Sequence, residues 1–194
     1  MGRRERKSEK AKQILLSVVI ALIMILSTFG IIIGSQSNEL RYGKFKFQVN
    51  NNQYIAKIND KEMNFYFLPV QTEYINLSSI VTNKIKEAYM VMVTFDPNDK
   101  NNLPVTELVR FDFSQLLGKV VFSGVLNASE DYKDLPVLSC ANATLQTPVL
   151  LFNLSDDTSI IDINNCIYLN ARGTEFLRLR DRILYSYYGV INDK

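Results

Sequence analysis

A chain of 194 residues without a single histidine has a restricted chemical vocabulary. Ser-His-Asp and Cys-His nucleophilic centres, imidazole bases and His-ligated metals are all excluded. Two cysteines, Cys140 and Cys166, cannot close a zinc site by themselves. Asp96, Asn98 and Glu107 occupy positions 1, 3 and 12 of an EF-hand-like loop, but position 5 is Lys100 and position 6 is Asn101 where the motif needs an oxygen ligand and a glycine. That segment reads as a polar turn entering a helix, and no metal or cofactor is expected. Asp112, Asp131, Asp134, Asp156, Asp157 and Asp162 are carboxylates of the kind glycosidases use in pairs, yet Asp156 and Asp157 fall in a turn and nothing brings the others together. Tyr185, Tyr187 and Tyr188 share helical spacing with Phe176 and read as core. Arg178, Arg180 and Arg182 read as a solvated helix face, where the like-charged i, i+4 pair Arg178 and Arg182 would attract an acidic partner or lipid headgroups. No catalytic residue is assigned.

Charge and hydropathy assign a location. Of 22 basic and 20 acidic residues, six and two fall in residues 1–12, which leaves a body of 16 basic and 18 acidic residues beyond the apolar segment. A mildly acidic body has no excess of cations to neutralise phosphates, so nucleic acid is not expected as a partner. Ile14 to Gly34 supplies 21 apolar or small residues, about 30 Å of helix and enough to cross a bilayer. The basic residues in front of it place the N-terminus in the cytoplasm and the body outside. A signal peptide cleaved near Ser35-Gln36-Ser37 is the rival, although its apolar region would be shorter than this one. Four sequons, at Asn76, Asn127, Asn142 and Asn153, suit an outside location and are candidate glycosylation sites. Both cysteines lie in that body, where an even pair reads as a structural disulfide.

The elements follow from periodicity and turn residues. Lys44–Gln48, Gln53–Lys57 and Met63–Leu68 alternate between Asn/Asp turns and form an N-terminal β-meander. Ser79–Glu87 follows as a short helix. Ala88–Phe95 is a strand buried on both faces, Leu103–Leu117 a helix stopped by Gly118, and Lys119–Leu126 a second strand, which together make a βαβ unit with parallel strands. After a connector, Pro148–Asn153 and Ser159–Leu169 read as a hairpin turning at Asp156-Asp157, and Gly173–Tyr188 as a final helix capped by Gly189. In that hairpin residue 166 faces residue 147, so Cys166 approaches the connector that carries Cys140. The bond would close a loop of 27 residues, Cys140 to Cys166 inclusive, worth about 3 to 4 kcal/mol.

The order βαβ, connector, hairpin and helix over residues 88–189 resembles the thioredoxin-like fold, and Thr147-Pro148-Val149-Leu150-Leu151-Phe152 resembles its cis-proline element before the third core strand. The family's Cys-x-x-Cys position here reads Phe95-Asp96-Pro97-Asn98-Asp99-Lys100-Asn101-Asn102, without cysteine. The resemblance thus implies a cis Thr147-Pro148 bond, no thiol exchange, and a binding edge where Thr147 and Pro148 lie beside Asp96, Asn98 and Asp99. Cys140, Thr147-Pro148-Val149, Cys166-Ile167 and Asp181-Arg182-Ile183-Leu184-Tyr185 ending in Gly189 also resemble uncharacterised single-pass membrane proteins of small-genome archaea, a similarity that implies no activity.

The expected organisation is a basic cytoplasmic segment (1–12), a transmembrane signal anchor (13–35), a tether (36–43), the meander and short helix (44–87) and a thioredoxin-like core (88–194). The expected function is a membrane-anchored extracytoplasmic binding or envelope-structural domain, held to the lipid bilayer through residues 13–35 and facing another envelope protein. The alternatives are a thiol-disulfide oxidoreductase using Cys140 and Cys166, or a subunit of a surface filament or adhesin.

Overall fold

The computed structural model describes residues 15–27 and 39–193. They belong to two compact units divided at residue 39. In the first, residues 15–27 form helix α1. Among the described residues no helix is long and apolar enough to cross a membrane. The rest of the expected anchor, residues 13–14 and 28–35, the basic segment 1–12 and the tether up to residue 38 lie outside the described residues.

The second unit is mixed α/β with two sheets. The first sheet is an antiparallel meander of β1 (Leu40–Tyr42), β2 (Phe45–Asn50), β3 (Gln53–Ile58) and β4 (Lys61–Phe65) in sequence order. It has one strand more than the three expected, because β1 occupies the end of the expected tether and pairs Arg41 with Lys46. Strand alternation buries Phe47, Ala56, Ile58, Met63 and Phe65 on one face and leaves Lys46, Lys57 and Glu62 on the other. Asn51-Asn52 and Asn59-Asp60 link these strands with positive φ at both residues, the signature of type I′ turns that asparagine tolerates.

Helix α2 (Ser79–Glu87) begins as expected, with Ser78 Oγ accepting the Val81 N–H. It leads into β5 (Met90–Phe95), α3 (Leu103–Leu116) and β6 (Val120–Val125), the expected βαβ unit, with β5 and β6 parallel from Met90↔Val120 to Phe95↔Val125. The remaining elements are β7 (Val149–Leu154), β8 (Ser159–Ile163), β9 (Cys166–Ala171) and α4 (Glu175–Tyr187). Their pairing departs from expectation. The run 159–169 is two strands, broken by Asn164-Asn165 in another pair of positive φ angles, and the hairpin is β8 with β9. β7 pairs in parallel with both β5 and β9. The second sheet is therefore β6-β5-β7-β9-β8, four parallel strands with one antiparallel edge. The Thr147-Pro148 bond is trans. The expected hairpin between β7 and the run that follows it is replaced by the β8–β9 hairpin, and the cis bond implied by the thioredoxin resemblance is not present. Pro148 opens a strand that pairs on both sides, and its position before the first residue of β7 removes no ladder donor.

Alternation divides the second sheet into two differently covered faces. Val91, Val93, Phe95, Leu150, Phe152, Ile167 and Leu169 join one core with the buried residues of α3 and α4 and with the inner face of the meander. Met92, Val149, Leu151 and Cys166 form a smaller cluster covered by the connector through Leu138, Cys140 and Ala143. The connector binds the sheet closely: Val125 N–H donates to Pro136 O, Leu138 N–H to Val125 O, and Thr94 Oγ1–H to Leu138 O. Gly124 lies beneath it. A Cβ there would come within 2.5 Å of the Leu138 side chain and 2.7 Å of Pro136 O.

α4 is buried on nearly every side, and its arginines correct the solvated-face expectation: Arg180 is 2% and Arg182 4% exposed. Asp181, fully buried, accepts N–H bonds from Tyr66 and Phe67 at 2.7 Å each through one oxygen and pairs with Arg180 through the other. Arg180 also donates to Asn64 O at 2.9 Å, and its Nε lies 3.2 Å from Asp112 Oδ2. Arg182 donates to Ile75 O and Asp193 and bonds Ser186. Tyr185, expected in the core, stacks on Phe65 at 4.4 Å and donates to Phe67 O. Burial pushes the Asp181 carboxyl up to about 6, outweighing Arg180 and the two amides, and pushes Asp112 up as well.

Two outcomes test this packing. Asp181→Ala leaves the Tyr66 and Phe67 amides without a partner and takes from Arg180 one of its two carboxylates, and it is expected to cost about 3 to 5 kcal/mol in urea unfolding. The native Asp181 takes up its proton near pH 6 and the unfolded one near 4, so the native state holds the extra proton between them. The stability of the native protein relative to Asp181→Asn should fall as pH rises from 4 to 6 and stay flat above. A rise over that interval would contradict the assignment. Gly124→Ala should cost about 1 to 3 kcal/mol in the same assay by lifting the connector.

Candidate functional site

The chain runs from β5 outward to β6 through α3, then returns across β5 to β7 on its other side. The strand order thus reverses between β5 and β7, and open parallel sheets hold ligands outside the carboxyl ends of strands at such a point. A crevice of about 160 Å³ lies there, lined by Phe95 and Asp96 at the end of β5, Asp99 and Thr106 from the loop and first turns of α3, Leu126 after β6, Phe152 to Leu154 of β7, and Phe176 of α4. Phe152 and Phe176 meet edge to face at 5.3 Å and make an apolar floor.

The 96–102 loop is ordered by its own polar side chains. Asp96 Oδ1 accepts the Asn98 N–H at 2.9 Å in an Asx turn. The Asp99 carboxylate accepts both an N–H of the Asn102 side chain, at 2.8 Å, and its backbone N–H. Asn102 is buried, and its Oδ1 accepts the Gly173 N–H at 2.6 Å, fastening the start of α3 to the segment that enters α4. Lys100 turns away to Asp131 and holds that carboxyl below its usual range. On the far wall Asn153 donates to Asn170, which donates to Ser159, an amide ladder crossing β7, β9 and β8 at one level of the sheet.

Of the residues expected at the binding edge, Asp96 and Asp99 line the crevice, and Asn98 is exposed on the same loop. Thr147 and Pro148 do not join them. Because β7 runs parallel to β5, with Val149 beside Met92, Pro148 lies about 16 Å down the strand from Asp96, at the other end of the sheet. Phe152, Asn153, Leu154 and Phe176 complete the crevice, and sequence reasoning missed them. Their apolar pattern says only that they are strand and helix core, and the strand order that brings them to Asp96 has no local signature.

Cys140 and Cys166 are disulfide-bonded, with Cα atoms 5.2 Å apart. The bond ties the connector's Cys140–Asn142 turn to the first residue of β9, at the amino end of the sheet and away from the crevice. The expected proximity holds by a different pairing: Cys166 stands level with Val149 in parallel register, not opposite residue 147 of a hairpin. The Tyr168 hydroxyl lies 3.2 Å from Cys140 Sγ, and Cys166 is fully enclosed. Among the described residues no three His, Cys, Asp or Glu side chains are placed to hold a metal ion. The other carboxylates singled out serve elsewhere: Asp112 in the α4 network, Asp156 with Arg172, and Asp162 with Lys84.

Compared with family models, with curated proteins and with solved structures, the chain matches none.

The sequons divide by environment. Asn76, Asn127 and Asn142 are exposed, whereas Asn153 lies within β7 with its amide nitrogen committed to Asn170. Expression in a glycosylating secretory host should yield glycans at the first three sites in any combination and none at Asn153, as read by mass spectrometry of glycopeptides.

Proposed function

We propose that the protein is a membrane-anchored extracytoplasmic binding domain, tethered through residues 13–35 with its N-terminus in the cytoplasm, and presenting the crevice at the carboxyl ends of β5 and β7 to a ligand or to another envelope protein. The observation that carries this reading is the Cys140–Cys166 bond, which uses both cysteines of the chain and suits an oxidising compartment. The basic residues before the apolar run of 14–34 support the same orientation.

A binding role is favoured over thiol chemistry by the position of the bond. A catalytic disulfide needs an accessible sulfur of low pKa, commonly at a helix N-terminus. Cys166 is enclosed in a strand, and the loop entering α3 has no cysteine.

Protease added to intact cells should degrade residues 39–193 and spare the first 12. The purified full-length protein should not reduce insulin or reshuffle a scrambled disulfide substrate above background. Protection of the body would reject the orientation, and turnover lost in Cys140→Ser would reject the binding role in favour of an oxidoreductase.

A further inference from the structure

We propose that the crevice between the carboxyl ends of β5 and β7 takes an alkylammonium group, either of a free small amine or of a lysine side chain; this deepens the binding reading above and depends on it.

Size sets the first limit. A cavity of about 150 Å³ lined by apolar side chains holds benzene. At about 160 Å³ the crevice takes in a group of roughly that bulk, six or seven heavy atoms. Charge sets the second. Asp96 uses one oxygen for the Asn98 N–H, and no hydrogen-bond partner among the described residues takes the other. Neither Asp96 nor Asp99 forms an ion pair among the described residues, and Lys100 on the same loop is committed to Asp131. The amino end of α3 would ordinarily draw an anion, but the Asp99 carboxylate already stands there, bonded to the backbone and side-chain N–H groups of Asn102 just before the helix. An anionic ligand meets two carboxylates, and a neutral one leaves them uncompensated.

The walls fit the rest of such a ligand. Phe95, Phe152 and Phe176 offer apolar surface to a methylene chain. Carboxylate at the mouth and aromatic floor together select a cation with a short apolar stem. A metal ion would need oxygen ligands on all sides, and this floor has none.

The test compares n-butylammonium, n-butanol, butyrate and Nα-acetyl-lysine methylamide as ligands of the full-length protein in non-ionic detergent, by saturation-transfer NMR and titration. The ammonium ligands should bind at least tenfold more tightly than butanol, butyrate should not bind, and raising salt from 20 to 300 mM should weaken the ammonium ligands several-fold. Asp96→Asn keeps the Oδ1 acceptor of the Asx turn, so it should unfold at an unchanged temperature while losing at least tenfold in ammonium affinity and leaving butanol within twofold. Should that variant fail to fold, Leu154→Lys, at an exposed rim position, supplies a tethered ammonium and should abolish butylammonium binding. Tighter binding of the lysine derivative than of butylammonium assigns the peptide source, and the reverse assigns a free amine. Equal binding of butanol and butylammonium, or full ammonium affinity in Asp96→Asn or Leu154→Lys, overturns cation recognition while a binding crevice survives. No binding of any of the four overturns the site itself and leaves the protease result on membrane orientation standing.

Discussion

Helix α4 has almost no free face, and most of the body's architecture answers to that. It contributes Phe176, Leu179, Ile183, Leu184 and Tyr185 to a core that also holds the inner faces of both sheets. A helix enclosed in this way would ordinarily be apolar all round, yet three consecutive residues, Arg180, Asp181 and Arg182, are charged and buried. Buried charges are tolerable only when paired and fully hydrogen-bonded. The partners come from every neighbour: Asn64 O and the Tyr66 and Phe67 amides after the meander, Asp112 on α3, Ile75 O before α2, and Asp193 in the tail. An apolar stripe alone would accept α4 slightly rotated or slid by a turn. These bonds accept one setting, and that setting fixes Phe176 at the crevice floor.

The second sheet separates its tasks by end. Four parallel strands point their carboxyl ends the same way, which gathers the turns after β5, β6 and β7 around one crevice. The disulfide lies at the amino end, joined to the start of β9. The crevice at one end is thereby separated from the cross-link at the other, with Thr94, Leu151 and Tyr168 between them.

What was legible in the sequence was local. Ser78 and Gly118 bound their helices, Asn51-Asn52 and Asn59-Asp60 turned their hairpins, and the apolar run through Val91 and Val93 is indeed a doubly covered central strand. Asn164-Asn165 carries the same turn signal, but Ile160 to Leu169 is apolar enough to look continuous. Taken as one strand, that run gives β7 an antiparallel hairpin partner where β7 pairs in parallel with β5 and β9. The arginines of α4 misled for another reason: charge predicts exposure only where no partner waits inside, and Asp112, Asn64 and Asp193 are distant in sequence. Asp96 and Asp99 were found as a turn, while the residues that make the turn one wall of a crevice depend on strand order.

The connector over the second sheet carries a further consequence, for what the sheet would expose without it. Between β6 and β7 it has only two single helical turns, so it owes its shape to the sheet beneath. Leu138 and Cys140 gain burial only once β5, β7 and β9 lie side by side, and the loop that Cys140 and Cys166 close is costly to order beforehand. Without the connector in place, Met92, Val149 and Leu151 would face solvent, and the second sheet would expose an apolar face of the kind that aggregates when left bare. The Cys140–Cys166 bond pins the connector over that face, so the cross-link guards the sheet as well as the loop.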